Sequence, residues 1–302
     1  MSERIASQFM FARGVDVMLS KQAQLSETEL QLASGKRILK PSDDTPGSVQ
    51  VLDLKEVQSK LEQYQRNADA VSAKLSQEET ALQRMTNLLQ RVRELAVQGN
   101  NDTLSQSDRT TIAKEIREHI DSFMQLANTQ DANGEYLFAG FSSKTAPLSH
   151  DGVGNFTYNG DTGQRRVKIA ETREVAMGDP GTIFMDLPAN AGGTTNVGAI
   201  LYDLVSNFEA GNRDPNVLTD IDTARDEILN TLASIGARMN AVDEQKTANE
   251  AFDVAVQQVR SSLEDLDYAE AISRFNQQLA ALQASQQSFL KIQDLSLFNY
   301  LR

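Results

Sequence analysis

The chain has 302 residues, enough for one large domain or two to three smaller ones, and 42 Asp and Glu against 29 Lys and Arg give a net charge of −13. That acidic balance repels nucleic acid phosphates and anionic lipid, so neither is an expected partner. There is no cysteine, which excludes disulfides, thiol catalysis and thiolate metal sites, and no apolar run approaches the ~20 residues that span a bilayer.

The N-terminus, Met1-Ser2-Glu3-Arg4-Ile5, is not followed by the apolar core of a cleavable secretory signal. If the chain leaves the cell, it uses a route that needs none. The spacing predicts a first helix from roughly Ile5 to Ala33, stopped by Gly35. Its seam is thin: Met18, Leu25 and Leu32 repeat at seven, with Gln22 and Glu29 in the other row. Ser42-Asp43-Asp44-Thr45-Pro46 then supplies N-cap candidates and a proline suited to the first helical turn.

The clearest helix follows. Leu54, Val57, Leu61, Tyr64, Ala68, Val71, Leu75, Leu82, Met85, Leu89, Val92 and Ala96 recur at spacings of 3 and 4, broken at Glu78. This is a coiled-coil or bundle seam of about six heptads, with Gly99 as its left-handed C-terminal stop. A third helix, about Asp108 to Thr129, uses Ile112, Ile116, Ile120 and Phe123. From Tyr136 to Asn196 the pattern changes to glycines, Asn-Gly turns and short β-prone runs. Asn155–Tyr158, Arg166–Ile169 and Thr182–Met185 read as strands, and Asn159-Gly160-Asp161 as a hairpin turn between the first two. Pro188 to Thr195 leads back to helix.

The last hundred residues are helical again. Ile228, Leu232, Ile235, Met239 and Val242 start a seam, and Phe252, Val256, Val259, Leu263 and Leu266 continue it. The register slips between Asp267 and Ser273 and resumes at Phe275, Leu279, Leu282 and Phe289. Met85, Met239, Phe252 and Phe275 read as core. The expected fold is mainly α, an elongated helical rod of paired N- and C-terminal coiled-coil helices with a small β-rich domain inserted at the far end. The expected divisions are 1–41 with 266–302 for the terminal coiled coil, 42–140 with 197–265 for the helical rod, and 141–196 for the β-rich domain.

Chemistry is sparse. His119, beside Glu115 and Glu118, reads as a solvated surface residue, and His150 with Asp151 lacks further ligands at a fixed spacing. Asp151, Asn155 and Asp161 flank glycines without the EF-hand order, and read as turns. Glu78-Glu79 reads as a solvated helix face. No nucleotide, hydrolase or zinc-protease motif occurs. No catalytic residue, cofactor or metal is expected.

Several blocks resemble the flagellin superfamily. Leu25-Ser26 through Ala33-Ser34-Gly35-Lys36-Arg37 and Pro41-Ser42-Asp43-Asp44 are similar to its N-terminal signature. Leu89 to Gln98, Ser107-Asp108-Arg109 and Glu115-Ile116 resemble the stretch that lines the filament wall. Asp267-Tyr268-Ala269-Glu270-Ala271 and Leu295-Ser296-Leu297 match the C-terminal pattern. Glu135-Tyr136-Leu137-Phe138-Ala139-Gly140, Tyr158 to Arg165 and the ending Leu295 to Arg302 resemble the hook–filament junction branch, the hook-associated protein 3 family, more than filament flagellin. Filament flagellin and an exported non-flagellar helical binding module remain alternative readings.

The resemblance implies a structural subunit on which flagellin polymerises, placed on the extracellular flagellum through the flagellar type III export apparatus. It implies as partners other copies in a ring, hook-associated protein 1, flagellin, and a cytoplasmic export chaperone at the C-terminal helix. Met18, Leu25 and Leu32 with Leu263, Leu266, Phe275, Leu279, Leu282 and Phe289 are then the expected coiled-coil core between copies. The stretch around Arg91, Glu94 and Leu95 matches a flagellin segment that contacts an innate immune receptor.

Energetics bear on the ends. Each buried seam residue contributes ~1.5–3 kcal/mol, whereas ordering about thirty residues costs ~1–2 kcal/mol apiece. The isolated ends should therefore order only against other copies. Hydrogen exchange on the free monomer should find unprotected amides across residues 5–33; protection there would refute the expectation.

Overall fold

The computed structural model describes residues 2–190 and 192–300 of the chain. Leu301 and Arg302, the end of the C-terminal block, lie outside the described residues. The order of elements is α1 (Ser2–Ser34), α2 (Thr45–Gly99), α3 (Gln106–Ala127), β1 (Leu148–His150), β2 (Phe156–Tyr158), β3 (Arg166–Lys168), β4 (Glu174–Ala176), a 3-10 turn (Gly181–Phe184), β5 (Leu187–Pro188), β6 (Thr194–Thr195), α4 (Val197–Glu209), α5 (Val217–Glu264) and α6 (Tyr268–Tyr300). The fold is mainly α with a small inserted β segment, as the periodicity predicts.

Short polar side chains set the helix starts, because the first backbone N–H groups of a helix have no partner within it. Asp44 Oδ1 accepts the Gly47 N–H at 2.9 Å, Ser105 and Asp108 form a capping box on α3, and Asn196 accepts from Ala199 on α4. Asp267 Oδ1 accepts the Ala269 and Glu270 N–H groups at the start of α6. Gly35 stops α1 with φ +70°, a left-handed conformation that favours glycine. Gly99 acts differently from the expected left-handed stop. It is the last residue of α2, and a Cβ there would overlap the Phe208 ring of α4.

Two compact units emerge, Met1–Lys60 with Phe252–Arg302, and Leu61–Ala251. The second holds the core. Along α2, Ala68, Val71, Leu75, Leu82, Met85, Leu89, Val92 and Ala96 are buried. Ile112, Ile116, Ile120 and Phe123 of α3, Leu201, Leu204 and Phe208 of α4, and Ile221, Ala224, Ile228 and Ile235 of α5 join the same cluster. In this unit α2 and α5 run antiparallel, with Arg93 bonded to Asp222 (2.8 Å), Lys246 to Asp69 (2.6 Å) and Gln65 to Glu250 (3.0 Å).

Among the described residues the β segment consists of three separate antiparallel pairs, β1–β2, β3–β4 and β5–β6. Thr182–Met185 is not a strand. Residues Gly181–Phe184 form a 3-10 turn that drives Phe184 edge-on against Phe123 and Phe138, with ring centroids 5.7 and 5.1 Å apart. Nor does Asn159-Gly160-Asp161 join β2 to β3, since β2 pairs back to β1 and β3 pairs forward to β4. The Asp161 carboxylate accepts the Phe141 N–H (2.9 Å), the Gly163 N–H (2.8 Å) and the Ser142 hydroxyl (2.9 Å), local bonding that competes with a ladder. Tyr158 Oη lies within hydrogen-bond reach of the Phe138 and Asp161 carbonyls and accepts the Gly181 N–H, tying Glu135–Gly140 to Tyr158–Arg165.

Three further expectations change. Glu78 is not on a solvated face but 1% exposed, because it occupies a seam position between Leu75 and Leu82. His119 is half-buried, its Nε2 shielded 4.0 Å from Glu115 Oε1. Phe252 and Val259, expected in the core, are 55% and 51% exposed: Val256 takes the inward seam position of α5 there, and among the described residues little covers the flank that the other two share.

Candidate assembly surface

In the first unit the two sequence blocks from opposite ends of the chain meet. The Leu266 N–H donates to the Gly35 carbonyl (3.0 Å) and the Arg37 N–H to the Glu264 carbonyl (2.8 Å). A Cβ on Gly35 would lie 2.8 Å from Tyr268 Oη. Around this backbone clasp Glu264 Oε1 accepts from Lys36 Nζ (2.6 Å) and Lys55 Nζ (3.3 Å), while Arg37 reaches Leu263 O (2.8 Å) and Asp44 (3.0 Å). The Lys36 hydrogen bond, with Lys55 behind it, holds the Glu264 carboxyl below its ordinary pKa.

Beyond the clasp α1 and α6 lie side by side. Thr28 Oγ1 donates to Gln278 Oε1 at 2.8 Å, and Phe11 packs on Phe289 with centroids 4.9 Å apart. Of the nine expected interface residues, Leu266 is buried, and Met18, Leu25, Leu32, Leu263, Phe275, Leu279, Leu282 and Phe289 are half-buried. Part of the seam is thus taken up by the chain's own helix pair. The expected second row of α1, Gln22 and Glu29, is exposed. Thr28 is buried instead, because Met18, Lys21, Leu25, Thr28, Leu32 and Gly35 follow the 3-and-4 spacing, and Gln31 is buried beside that row with its Nε2 donating to the Arg37 carbonyl at 3.0 Å. Reading for apolar residues alone hid that polar row.

The two units differ in how they place apolar side chains. Among the described residues, four buried apolar residues (Val51, Val256, Leu266 and Ala271) lie in the first unit and forty in the second. Exposed large apolar residues run the other way, with thirteen of seventeen in the first unit. They include Phe9, Val17, Leu19 and Leu30 of α1, Val49 and Leu52 of α2, Phe252 and Val259 of α5, and Ile272 and Leu290 of α6. In the second unit Arg91 bonds Glu115 at 2.8 Å and Glu94 at 3.2 Å on an exposed face, but Leu95 is 2% exposed and faces inward.

The His150 ring stacks on Phe156 at 5.6 Å, and Asp151 accepts the Val153 and Asn155 N–H groups of its own turn. Among the described residues no three His, Asp or Glu side chains are placed to hold a metal ion. What the first unit offers is a surface, built of helices whose apolar sides are uncovered.

The bacterial flagellin N-terminal helical region matches residues 8–143, and the C-terminal helical region matches residues 218–301. The chain belongs to the flagellin family. Within this family of structural flagellar proteins, flagellar hook-associated protein 3 of Escherichia coli K12 is 29% identical over 98% of this chain and 98% of its own length. A flagellin from Clostridium tyrobutyricum is 34% identical, but over 36% of this chain and 29% of its own. The first likeness runs nearly the whole length of the chain, including the β segment that lies outside both flagellin helical regions, and favours hook-associated protein 3 over filament flagellin. A Vibrio parahaemolyticus structure, provisionally described as a flagellar hook-associated protein, is 27% identical with a TM-score of 0.66, covering 74% of this chain and all of that one. The flagellar junction protein of Legionella pneumophila shares the fold at 21% identity, with a TM-score of 0.57 over 65% of this chain and 99% of its own.

Glu264→Gln should lower the stability of the full chain by about 1.5–3 kcal/mol near neutral pH, because charge-assisted bonds to Lys36 and Lys55 are lost. A carboxyl with a depressed folded pKa contributes stability above its ordinary value of 4.5, lost as pH falls through the lowered one. Urea unfolding at several pH values should show the gap between parent and variant closing in acid.

Proposed function

We infer that this chain is a structural subunit of the bacterial flagellum that forms the junction between hook and filament. The full-length likeness to hook-associated protein 3 supports this reading over filament flagellin. The observation that carries it is the first unit's inversion of the usual arrangement, with apolar side chains outside and few inside.

A soluble monomer gains nothing from exposing so many apolar groups on so few helices, whereas a subunit that packs among copies buries them. Phe9 and Phe11, and again Val17 and Leu19, stand two positions apart in α1 and project toward opposite sides of the helix. A helix with apolar side chains on opposite sides needs neighbours on more than one, and α6 covers one. A ring of copies supplies the others. The terminal seams containing Met18, Leu25, Leu32, Leu263, Leu266, Phe275, Leu279, Leu282 and Phe289 contribute to that packing together with the exposed residues.

The remaining partners follow from the family. The ring sits on hook-associated protein 1 and presents a surface on which flagellin polymerises, and a cytoplasmic export chaperone covers the C-terminal helix before export. Export uses the flagellar type III apparatus and places the protein on the extracellular flagellum. Among the described residues no helix is long and apolar enough to cross a membrane.

Deletion of the gene should leave hooks without filaments in electron micrographs, with monomeric flagellin in the medium by immunoblot. Loss of filaments with no flagellin antigen anywhere would make the chain the flagellin itself, and normal filaments would favour a binding module. In a strain that expresses the variant, Leu279→Asp should abolish filament attachment, because an unpaired carboxylate buried in a helix contact costs more than the roughly 2–7 kcal/mol of an unpaired neutral polar group. Wild-type filaments in that strain would remove Leu279 from the interface.

A further inference from the structure

Glu78 sits in the apolar seam of α2 and is 1% exposed. Its Oε1 accepts the Asp179 backbone N–H at 3.0 Å. Its Oε2 is shielded from solvent and has no hydrogen-bond partner among the described residues. The loop between β4 and the 3-10 turn lies over it, and a Cβ on Gly178 would make ordinary van der Waals contact with Oε2 at 3.5 Å.

That loop is held on its other side by charge. The Asp179 carboxylate pairs with the Arg238 guanidinium of α5 and accepts from Gln164 Nε2 at 2.7 Å, and Arg238 also donates to the Ala176 carbonyl at 3.4 Å. The charged groups that face Glu78 are therefore Asp179 from the loop and Arg238 from α5. On its own helix Lys74, one turn earlier, is engaged by Asp131 at 3.8 Å and Glu135 at 3.7 Å. Arg238 is already committed to Asp179, so an ionised Glu78 would add a second negative charge to a site with one nearby cation.

We propose that Glu78 is a proton-operated latch for the β segment: as the neutral acid it lets the loop from Met177 to Gly181 seat on α2, and loss of its proton lifts that loop. Two physical facts carry this. A carboxylate moved out of water without a partner for one oxygen is penalised far more heavily than the neutral acid in the same place. The ends of the loop are anchored elsewhere, Met177 N–H on the Arg165 carbonyl (2.8 Å) and Gly181 N–H on the Phe138 carbonyl (2.8 Å), but between them the backbone bond to the acid and the ion pair to α5 both belong to Asp179.

Burial pushes the Glu78 carboxyl up to about 8, with the Asp179 carboxylate adding to the rise; the Asp179 N–H and the Arg238 guanidinium oppose it. The folded value lies above the ordinary 4.5, so the stabilisation is complete below 4.5, declines as pH rises, and is lost once pH passes about 8. The latch is shut in neutral media and opens in alkaline ones.

Hydrogen exchange on the full chain from about pH 6 to about pH 9, with each rate divided by its intrinsic value, reads the latch directly. Opening of the amides from Met177 to Gly181 should grow by up to about tenfold per pH unit below the folded pKa and level off above it. Glu78→Gln keeps the acceptor for the Asp179 N–H and cannot ionise, so its opening should be independent of pH. An equal pH slope in parent and variant would overturn the proposal. If the variant fails to fold, a 13C titration of the Glu78 carboxyl in the parent decides instead: a midpoint near 8 supports the latch, and one near 4.5 ends it.

Discussion

One face of α2 sets the arrangement of the second unit. The line from Ala68 to Ala96 is the surface against which α3, α4 and α5 bury their own apolar positions, and the ring cluster of Phe123, Phe138 and Phe184 completes the same cluster where the β segment begins. The close fit shows at Gly99, where the Phe208 ring takes the space of a side chain. Ion pairs such as Arg93–Asp222 lie at the half-exposed edge of this packing. Exposed or half-exposed pairs of this kind contribute little, so cohesion comes from burial and the charges fix which turn of α2 meets which turn of α5.

The first unit relies on different forces. Its best-defined contacts are polar: the backbone clasp between Gly35–Arg37 and Glu264–Leu266, the lysines on Glu264, and the Thr28–Gln278 bond between α1 and α6. Polar groups inside a helix pair specify register while adding less stability than leucines would. The chain thus aligns its own two ends and leaves much of the apolar surface of those helices for others to cover.

Much of this was legible in the sequence. The 3-and-4 spacing from Ala68 to Ala96 and from Ile112 to Phe123 located the core helices, and Gly35 marked the end of α1. The misreadings have physical causes. A β-prone run of four, Thr182–Met185, fits a strand or a buried turn equally well, and packing of Phe184 on Phe123 goes with the turn. Asn159-Gly160 has the composition of a hairpin, but the Asp161 carboxylate captured the neighbouring N–H groups. Glu78 was visible as a gap in a seam, yet its partner Asp179 is 101 residues away, so nothing local revealed that it is buried. The Lys36–Glu264 clasp spans 228 residues and left no periodic trace. The surface that the reading assigns to assembly was legible only in part, because a search for seams finds the residues that a helix pair buries and passes over those it leaves outside.

The three strand pairs are short, with two or three residues in each strand, and none joins another to make a wider sheet. A strand edge is a template for uncontrolled addition of a neighbouring chain, and its risk grows with its length and flatness. In the proposed ring of identical copies such neighbours would stand at very high local density. Ladders this brief offer a stranger too few backbone groups to hold it, so crowding in that ring would favour contact through helices and not growth into fibrils.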